Sequence, residues 1–418
     1  KSDFLSRTEH LIIQKDSKMS LAQGRTHLAT PGPSIIPDKV LEAMHRAAPN
    51  IYEGEIIEIT ESVLKDLTSF AKTSGDAILY VANGHGAWEA AVANLFDPGD
   101  TVLVMATGQF GLGWADLCKK MNLNVILVDF GFEKSVDHEK LTTTLRNDPY
   151  YKIKGIFTVQ TDTASSVLNN IKSIAHTIET CNHPALFLVD SIACFGCDRF
   201  EMDEWGVDIM VTACQKGLMT PPGISYCFVG NKAKKLSKLK INVPPYWDWK
   251  PRMNPKIFYE RFFGTAPTHH IFGQRAALDM MISEGRENIF RRHKVLAGAV
   301  WAALEKWGEE NTIKPNIKKQ MQRSTAVTTV RADGYDLTPL RQWLELNTGL
   351  VLGIGLGFSG SKYLEGKSVF RIAHMGHLNP VMLLGALTSI EAGFLACKIP
   401  YGKGGAGASA QFIARNAY

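Results

Sequence analysis

The chain has 418 residues, room for two or three units of about 150 residues each. It is 45% hydrophobic and 21% charged, with 36 glycines and 18 prolines, which excludes a disordered, collagen-like or coiled-coil chain. The net charge of +5 is mild for this size; it argues against a nucleic-acid partner and suits a protein that handles small anions.

In chain order, Lys1 to Lys18 is polar and lacks the apolar centre of a secretory signal; Met19 is a candidate natural start. Residues 1–30 read as an N-terminal extension. From residue 31 to about 275 short apolar runs alternate with helical patterns. Expected strands are Ala77–Val81, Thr101–Met105, Val125–Val128, Gly155–Val159, Ala185–Val189 and Ile209–Thr212. Expected helices are Ala87–Phe96, Gly113–Met121 and Ile171–Thr180. Strands that are apolar throughout and alternate with helices predict a mostly parallel sheet covered on both faces, an α/β large domain.

Lys232, Lys234, Lys235, Lys238 and Lys240 read as a solvated surface helix, and Val243–Pro255 as a loop. Residues 276–400 change character and predict a smaller α+β domain. It has helices over Gln274–Ser283 and Ile289–Trp307, and strands over Ala326–Val330 and Val369–Ala373. Val381–Cys397 is the most apolar long stretch, but Thr388, Ser389 and Glu391 interrupt it short of the ~20 residues that spanning a membrane needs. Residues 401–418 read as a Gly/Ala-rich tail. The seven cysteines include one C-x-x-C pair, Cys194 and Cys197, with no second pair to complete a zinc site; they read as reduced structural thiols in a cytoplasmic protein.

Open α/β sheets bind ligands at the carboxyl ends of their strands. After the first expected strand, Asn83-Gly84-His85-Gly86 leads straight into a helix, where small residues let backbone amides approach an anion such as a phosphate. A plain strand–helix turn would look the same. Asp190 closes an apolar strand and serves either as a cap for the next turn or as a partner for a ligand nitrogen or a metal. Lys216 follows another apolar strand and precedes a Pro-Pro-Gly turn. A lysine there either snorkels to the surface or, near an apolar pocket, loses basicity and forms a Schiff base. Phosphate cradle, strand-end Asp and strand-end Lys, in this order, are the three groups that pyridoxal 5'-phosphate needs.

The motifs Gly84-His-Gly-Ala-Trp-Glu-Ala90, Val189-Asp-Ser-Ile192, Asp203-Glu-Trp-Gly-Val-Asp208, Gln215-Lys-Gly-Leu-Met-Thr-Pro-Pro-Gly223 and Phe370-Arg-Ile-Ala-His-Met-Gly376 carry a family resemblance. The chain resembles the class V pyridoxal-phosphate aminotransferases of fold type I, within them the alanine–, serine– and aspartate–glyoxylate group, from Thr30-Pro-Gly-Pro-Ser34 to about Ala410. The resemblance implies a mostly parallel seven-stranded sheet and a homodimer with a shared active site. It implies Lys216 as the Schiff-base lysine and Asp190 as the partner of the pyridine nitrogen. Asn83, Gly84, His85 and Gln215 would hold the phosphate. Phe110 would stack on the ring, and Thr163 would approach its phenolic oxygen. Thr265 would reach the phosphate of the second subunit, and Arg371 would fork onto the substrate carboxylate.

Two segments that face the substrate in that family depart from its pattern: Ile51-Tyr-Glu53 and Gln160-Thr-Asp-Thr-Ala-Ser-Ser166. Tyr52, Phe110 and Trp249 around the pocket would favour glyoxylate as the oxo acid by exclusion. With no second arginine evident, serine or alanine ranks above aspartate as donor. A lyase or desulfurase is the alternative on the same cofactor, but it needs a cysteine on a mobile loop, and Cys397 lies in a helix pattern. A regulatory, non-enzymatic role fits poorly with an intact Lys216, Asp190 and Arg371. His374 and His377 form an H-x-x-H just past Arg371 and read as part of that segment rather than as a metal site.

Overall fold

The computed structural model describes residues 20–417, so the polar segment 1–18 and Met19 lie outside the described residues. Its strands, in chain order, are β1 His27–Ala29, β2 Asp76–Tyr80, β3 Thr101–Ala106, β4 Asn124–Asp129, β5 Ile153–Val159, β6 Thr161–Asp162 and β7 Val167–Leu168. They continue as β8 Leu186–Asp190, β9 Ile209–Ala213, β10 Ser225–Val229, β11 Lys314–Pro315, β12 Val327–Arg331, β13 Leu350–Ile354 and β14 Val369–Ala373.

Seven strands form one sheet in the order β2-β10-β9-β8-β5-β3-β4, parallel except for β10, which runs antiparallel to both its neighbours. Strands β5, β8, β9 and β10 are buried on both faces, which is why they read as continuous apolar runs. The terminal strand β4 differs: Ile126 and Leu127 are exposed, whereas at the other edge Ala77 to Tyr80 of β2 are buried. One apolar cluster joins one face of the sheet to the helix Glu55–Ala71 and the helix Ile171–Thr180. Another, built around Trp88, Trp114, Phe157 and Trp249, fills the opposite face. Burying a large side chain of this kind fully contributes about 1.5–3 kcal/mol.

Local sequence explains where the helices begin. The helix Gly84–Leu95 starts at Asn83, whose side chain accepts from the amides of His85 and Gly86. Asn170 caps the helix Ile171–Thr180 in the same way through Ser173. Asp248 caps a short helix, Trp249–Met253, inside the stretch expected to be loop.

The second sheet has the order β1-β13-β14-β12-β11 and packs against the helices Arg286–Trp307, Thr338–Thr348 and Pro380–Ala396. Two expectations change here. Residues 27–29, counted with an N-terminal extension, pair in parallel with β13 because Leu28 and Ala29 complete an apolar sheet edge. The Gly/Ala-rich tail is the helix Gly405–Asn416, whose small residues let it lie close along the helix Arg286–Trp307; Ser409 Oγ donates to the Ala299 carbonyl at 2.6 Å. Cys397 ends the helix Pro380–Ala396 as its C-cap.

Candidate active site

The carboxyl ends of β2, β3, β5, β8 and β9 open onto one cavity of about 240 Å³. Asn83, Gly84, His85, Trp88, Phe110, Val159, Thr161, Thr163, Asp190, Ile192, Ala193, Gln215 and Lys216 line it.

Asp190 ends β8 and is almost fully buried. Its Oδ1 accepts the Ile192 amide at 2.7 Å and its Oδ2 accepts the Trp88 indole N–H at 2.9 Å. Burial outweighs these donors and pushes the carboxyl up to about 7. Such a group can take up or give up a proton near neutral pH.

Lys216 sits in the turn between β9 and antiparallel β10. Burial, helped by the Arg371 charge, lowers its amine to about 8. Its Nζ donates to the Pro31 carbonyl. The Thr30–Ser34 segment grips the same turn: Ser34 Oγ donates to the Lys216 carbonyl at 2.7 Å and the Ser34 amide to the Gln215 carbonyl at 2.9 Å. Met219, three residues on in the same turn, takes a left-handed backbone with φ 56°, a strained conformation for a side-chain-bearing residue and common where a site fixes its backbone.

Arg371 lies on β14 of the small sheet and reaches across to the large one. Its Nε donates to the Ile354 carbonyl at 2.7 Å and one terminal nitrogen to the Thr163 carbonyl at 2.9 Å. Burial lowers its guanidinium to about 10, which still leaves it a cation at neutral pH.

Of the residues expected from sequence, the cavity brings together Asn83, Gly84, His85, Phe110, Thr163, Asp190, Gln215 and Lys216, with Arg371 bonded to its rim through Thr163. Three stand apart. Trp249, expected at the substrate pocket, is wholly buried in the core beneath the helix Gly84–Leu95, and its backbone amide donates to Asn94 at 3.0 Å. An apolar ring at the start of a helix finds more contact in that core than at a polar pocket. Tyr52, also expected there, is 78% exposed and lies outside the cavity of this chain. Its loop runs along the surface before the helix Glu55–Ala71. Thr265 is exposed as well and is not part of this lining.

Sequence reasoning missed Trp88, Asp162, Thr161, Ile192 and the lysine contact of Pro31. Trp88 stands one helical turn after Gly84, so the helical period placed it on the same face; the others lie in the segments 30–34, 160–166 and 189–192 singled out above, but nothing local marks which of their side chains or carbonyls meets the site. His374 is buried, with Nδ1 against the Thr325 carbonyl and Nε2 against Thr328 Oγ1, whereas His377 is exposed.

The polar lining fits pyridoxal phosphate. Thr161 Oγ1, which can donate or accept, and Gln215 Oε1, an acceptor, are buried cavity atoms with no partner of their own. A β-carbon at Gly84 would lie 2.4 Å from the tip of the Ile192 side chain, so a larger residue would push that side chain within the cavity wall at the helix N-terminus. A basic amine, a protonatable carboxyl and an anion cradle therefore surround one cavity.

The comparisons agree with this chemistry. Residues 27–356 match the family model for class V aminotransferases, and the chain belongs to that family. It is 35% identical to a serine–glyoxylate aminotransferase of Arabidopsis thaliana over 88% of this chain and 90% of the relative. It is 33% identical to a serine–glyoxylate aminotransferase of Methylorubrum extorquens, covering 92% and 96% of the two chains. Among solved structures, a ureidoglycine–glyoxylate aminotransferase of Bacillus subtilis superposes with a TM-score of 0.84 at 22% identity, covering 95% of this chain and all of that one. That likeness speaks to the fold alone.

Proposed function

We propose that the protein is a pyridoxal-phosphate-dependent transaminase that moves the amino group of a small L-amino acid, serine or alanine before aspartate, to glyoxylate. The observation that carries this reading is Lys216 and Asp190 facing one cavity, each with its pKa moved toward neutrality by burial. The two serine–glyoxylate relatives support the donor and the acceptor.

When bound, the cofactor supplies an electrophilic aldehyde and an electron-withdrawing ring. The protein's residues do the rest. Asp190 would keep the ring nitrogen protonated as its carboxylate partner, and Trp88 and the Ile192 amide hold Asp190 still. Asn83, Gly84, His85 and Gln215 would hold the phosphate. Lys216 Nζ would hold the cofactor's aldehyde and, once the substrate amine has taken its place there, would move the substrate α-proton to the former aldehyde carbon, a task that suits an amine titrating near 8. Arg371 pairs with the α-carboxylate that donor and acceptor share. Phe110 and Val159 wall the cavity with apolar surface and limit water. The same site handles both half-reactions, so ping-pong kinetics are expected.

The accompanying proposals are a homodimer with shared active sites and a cytoplasmic location. Thr265 and Tyr52 are exposed and outside their own chain's cavity, which suits side chains that complete a partner's site. Seven free thiols, five of them buried, suit a reducing compartment.

Borohydride reduction of the purified protein followed by peptide mapping tests the chemistry. The pyridoxyl group is expected on Lys216, and a label on another lysine overturns the assignment. Steady-state kinetics with serine, alanine and aspartate against glyoxylate test the substrates. The highest kcat/KM with aspartate would reverse the donor order.

A further inference from the structure

We infer that Asp162 is a positioning residue whose carboxylate ties the Phe110 turn and the Thr163 turn together and so fixes the aromatic wall of the cavity. The inference rests on the cofactor reading above. Asp162 is completely buried and is not itself part of the cavity lining. Its Oδ2 accepts the amides of Phe110 at 2.8 Å and Gly111 at 3.1 Å, and its Oδ1 accepts the amide of Ala164 at 3.0 Å. The first two are unsatisfied donors at the start of the helix Gln109–Lys120, whose own N-cap, Gly108, has no side chain to offer.

The carboxylate arrives from the neighbouring strand end and does the capping in place of Gly108. A β-carbon at Gly108 would lie 2.4 Å from the Asp162 carboxyl carbon, so glycine is needed there for space. Burial pushes the Asp162 carboxyl up and the amides of Gly111, Ala164 and Phe110 oppose that push; to the extent that the carboxyl keeps its charge, each bond is about twice as strong as a neutral one. Three amides converging on two oxygens need both of them, and asparagine supplies only one acceptor.

The consequence reaches the site in two directions. The Phe110 ring lines the cavity and packs edge-on to Trp88, with centroids 6.4 Å apart. Thr163, held between Asp162 and Ala164, presents the carbonyl that receives Arg371. Aromatic wall and carboxylate-binding arginine thus share one buried anchor.

The test compares wild type with Asp162→Asn and Asp162→Glu by two readouts. The first is amide hydrogen exchange at Phe110 and Gly111 in the cofactor-free protein. The second is circular dichroism in the cofactor absorption band of the holoenzyme at equal Lys216 loading. In Asp162→Asn the two amides are expected to exchange about tenfold faster and the induced band to fall to about half, while Asp162→Glu, which keeps both oxygens, stays closer to wild type on both. Exchange and dichroism unchanged in Asp162→Asn would overturn the inference. If Asp162→Asn does not fold, Asp162→Glu decides: a retained band supports the anchor, and a lost band despite the kept carboxylate overturns it. Should wild type carry no chromophore on Lys216, the cofactor reading fails, and the exchange measurement still judges the anchor.

Discussion

Asp190 and Lys216 are perturbed in opposite directions by one cause, the loss of water around a charge. Their effects on the stability of the cofactor-free protein follow by linkage. Asp190 is raised from 3.8 to about 7, so between those values the folded state holds a proton that the unfolded chain releases. Its stabilising contribution is complete below the unfolded value and is lost as pH rises through about 7. Lys216 is lowered from 10.5 to about 8, so between those values the unfolded chain holds the extra proton and stability rises with pH. Buried His293 and His374, lowered to about 3 and about 4, give the opposite slope below 6.5, so the test compares wild type with Asp190→Asn, both cofactor-free, by urea unfolding across pH 4 to 10. The stability difference between the two is expected to change with pH between about 4 and 7 and to stay flat above; a difference independent of pH would contradict the assignment.

At the scale of elements, each side chain of the site is delivered by a strand end, a cap or a turn. The β9–β10 turn presents Lys216 because β10 reverses direction, and the Thr30–Ser34 segment then clamps it. On the proposed function the small sheet would contribute through Arg371, which it holds against the Thr163 carbonyl, so its packing would matter to the chemistry although its core is remote. The C-terminal helix belongs to that packing: Phe412 rests on Gly298, and the Ala406 amide donates to Glu391 at 2.9 Å. Phe412→Ala is expected to cost about 2 kcal/mol, less than a fully buried phenylalanine because the ring is only partly covered. Thermal or urea unfolding measures it. A change below the error of that measurement would mean that the helix Gly405–Asn416 contributes nothing to the small unit.

For the whole molecule, the open question put to experiment is the shared site. Thr265→Ala and Lys216→Ala are each expected to lose activity, the first through weaker cofactor binding. Mixed subunits of the two should recover activity above the sum of the separate variants, because one site of each hybrid then holds an intact Lys216 from one chain and Thr265 from the other. A fully active monomer in sedimentation, or no recovery on mixing, would rule the arrangement out. The described residues contain no helix long and apolar enough to cross a membrane.

Periodicity alone marked out most of the large sheet and its helices, because buried parallel strands must be apolar throughout and amphipathic helices must repeat every 3.6 residues. The order of cradle, Asp190 and Lys216 was legible for a related reason: strand ends are where an α/β sheet binds, and the residues that follow each strand are contiguous in sequence. What only the tertiary structure decided depends on contacts between distant segments. The antiparallel β10, the pairing of His27–Ala29 with β13 and the docking of the Gly/Ala-rich C-terminal helix have no local code. Trp249 and Tyr52 show the same limit, since an aromatic residue in a loop carries no mark of whether it meets a pocket, a core or water. Trp88 beside Asp190 and Asp162 beneath Phe110 join residues 102 and 52 positions apart, and nothing in either residue's own neighbourhood foretells such a partner.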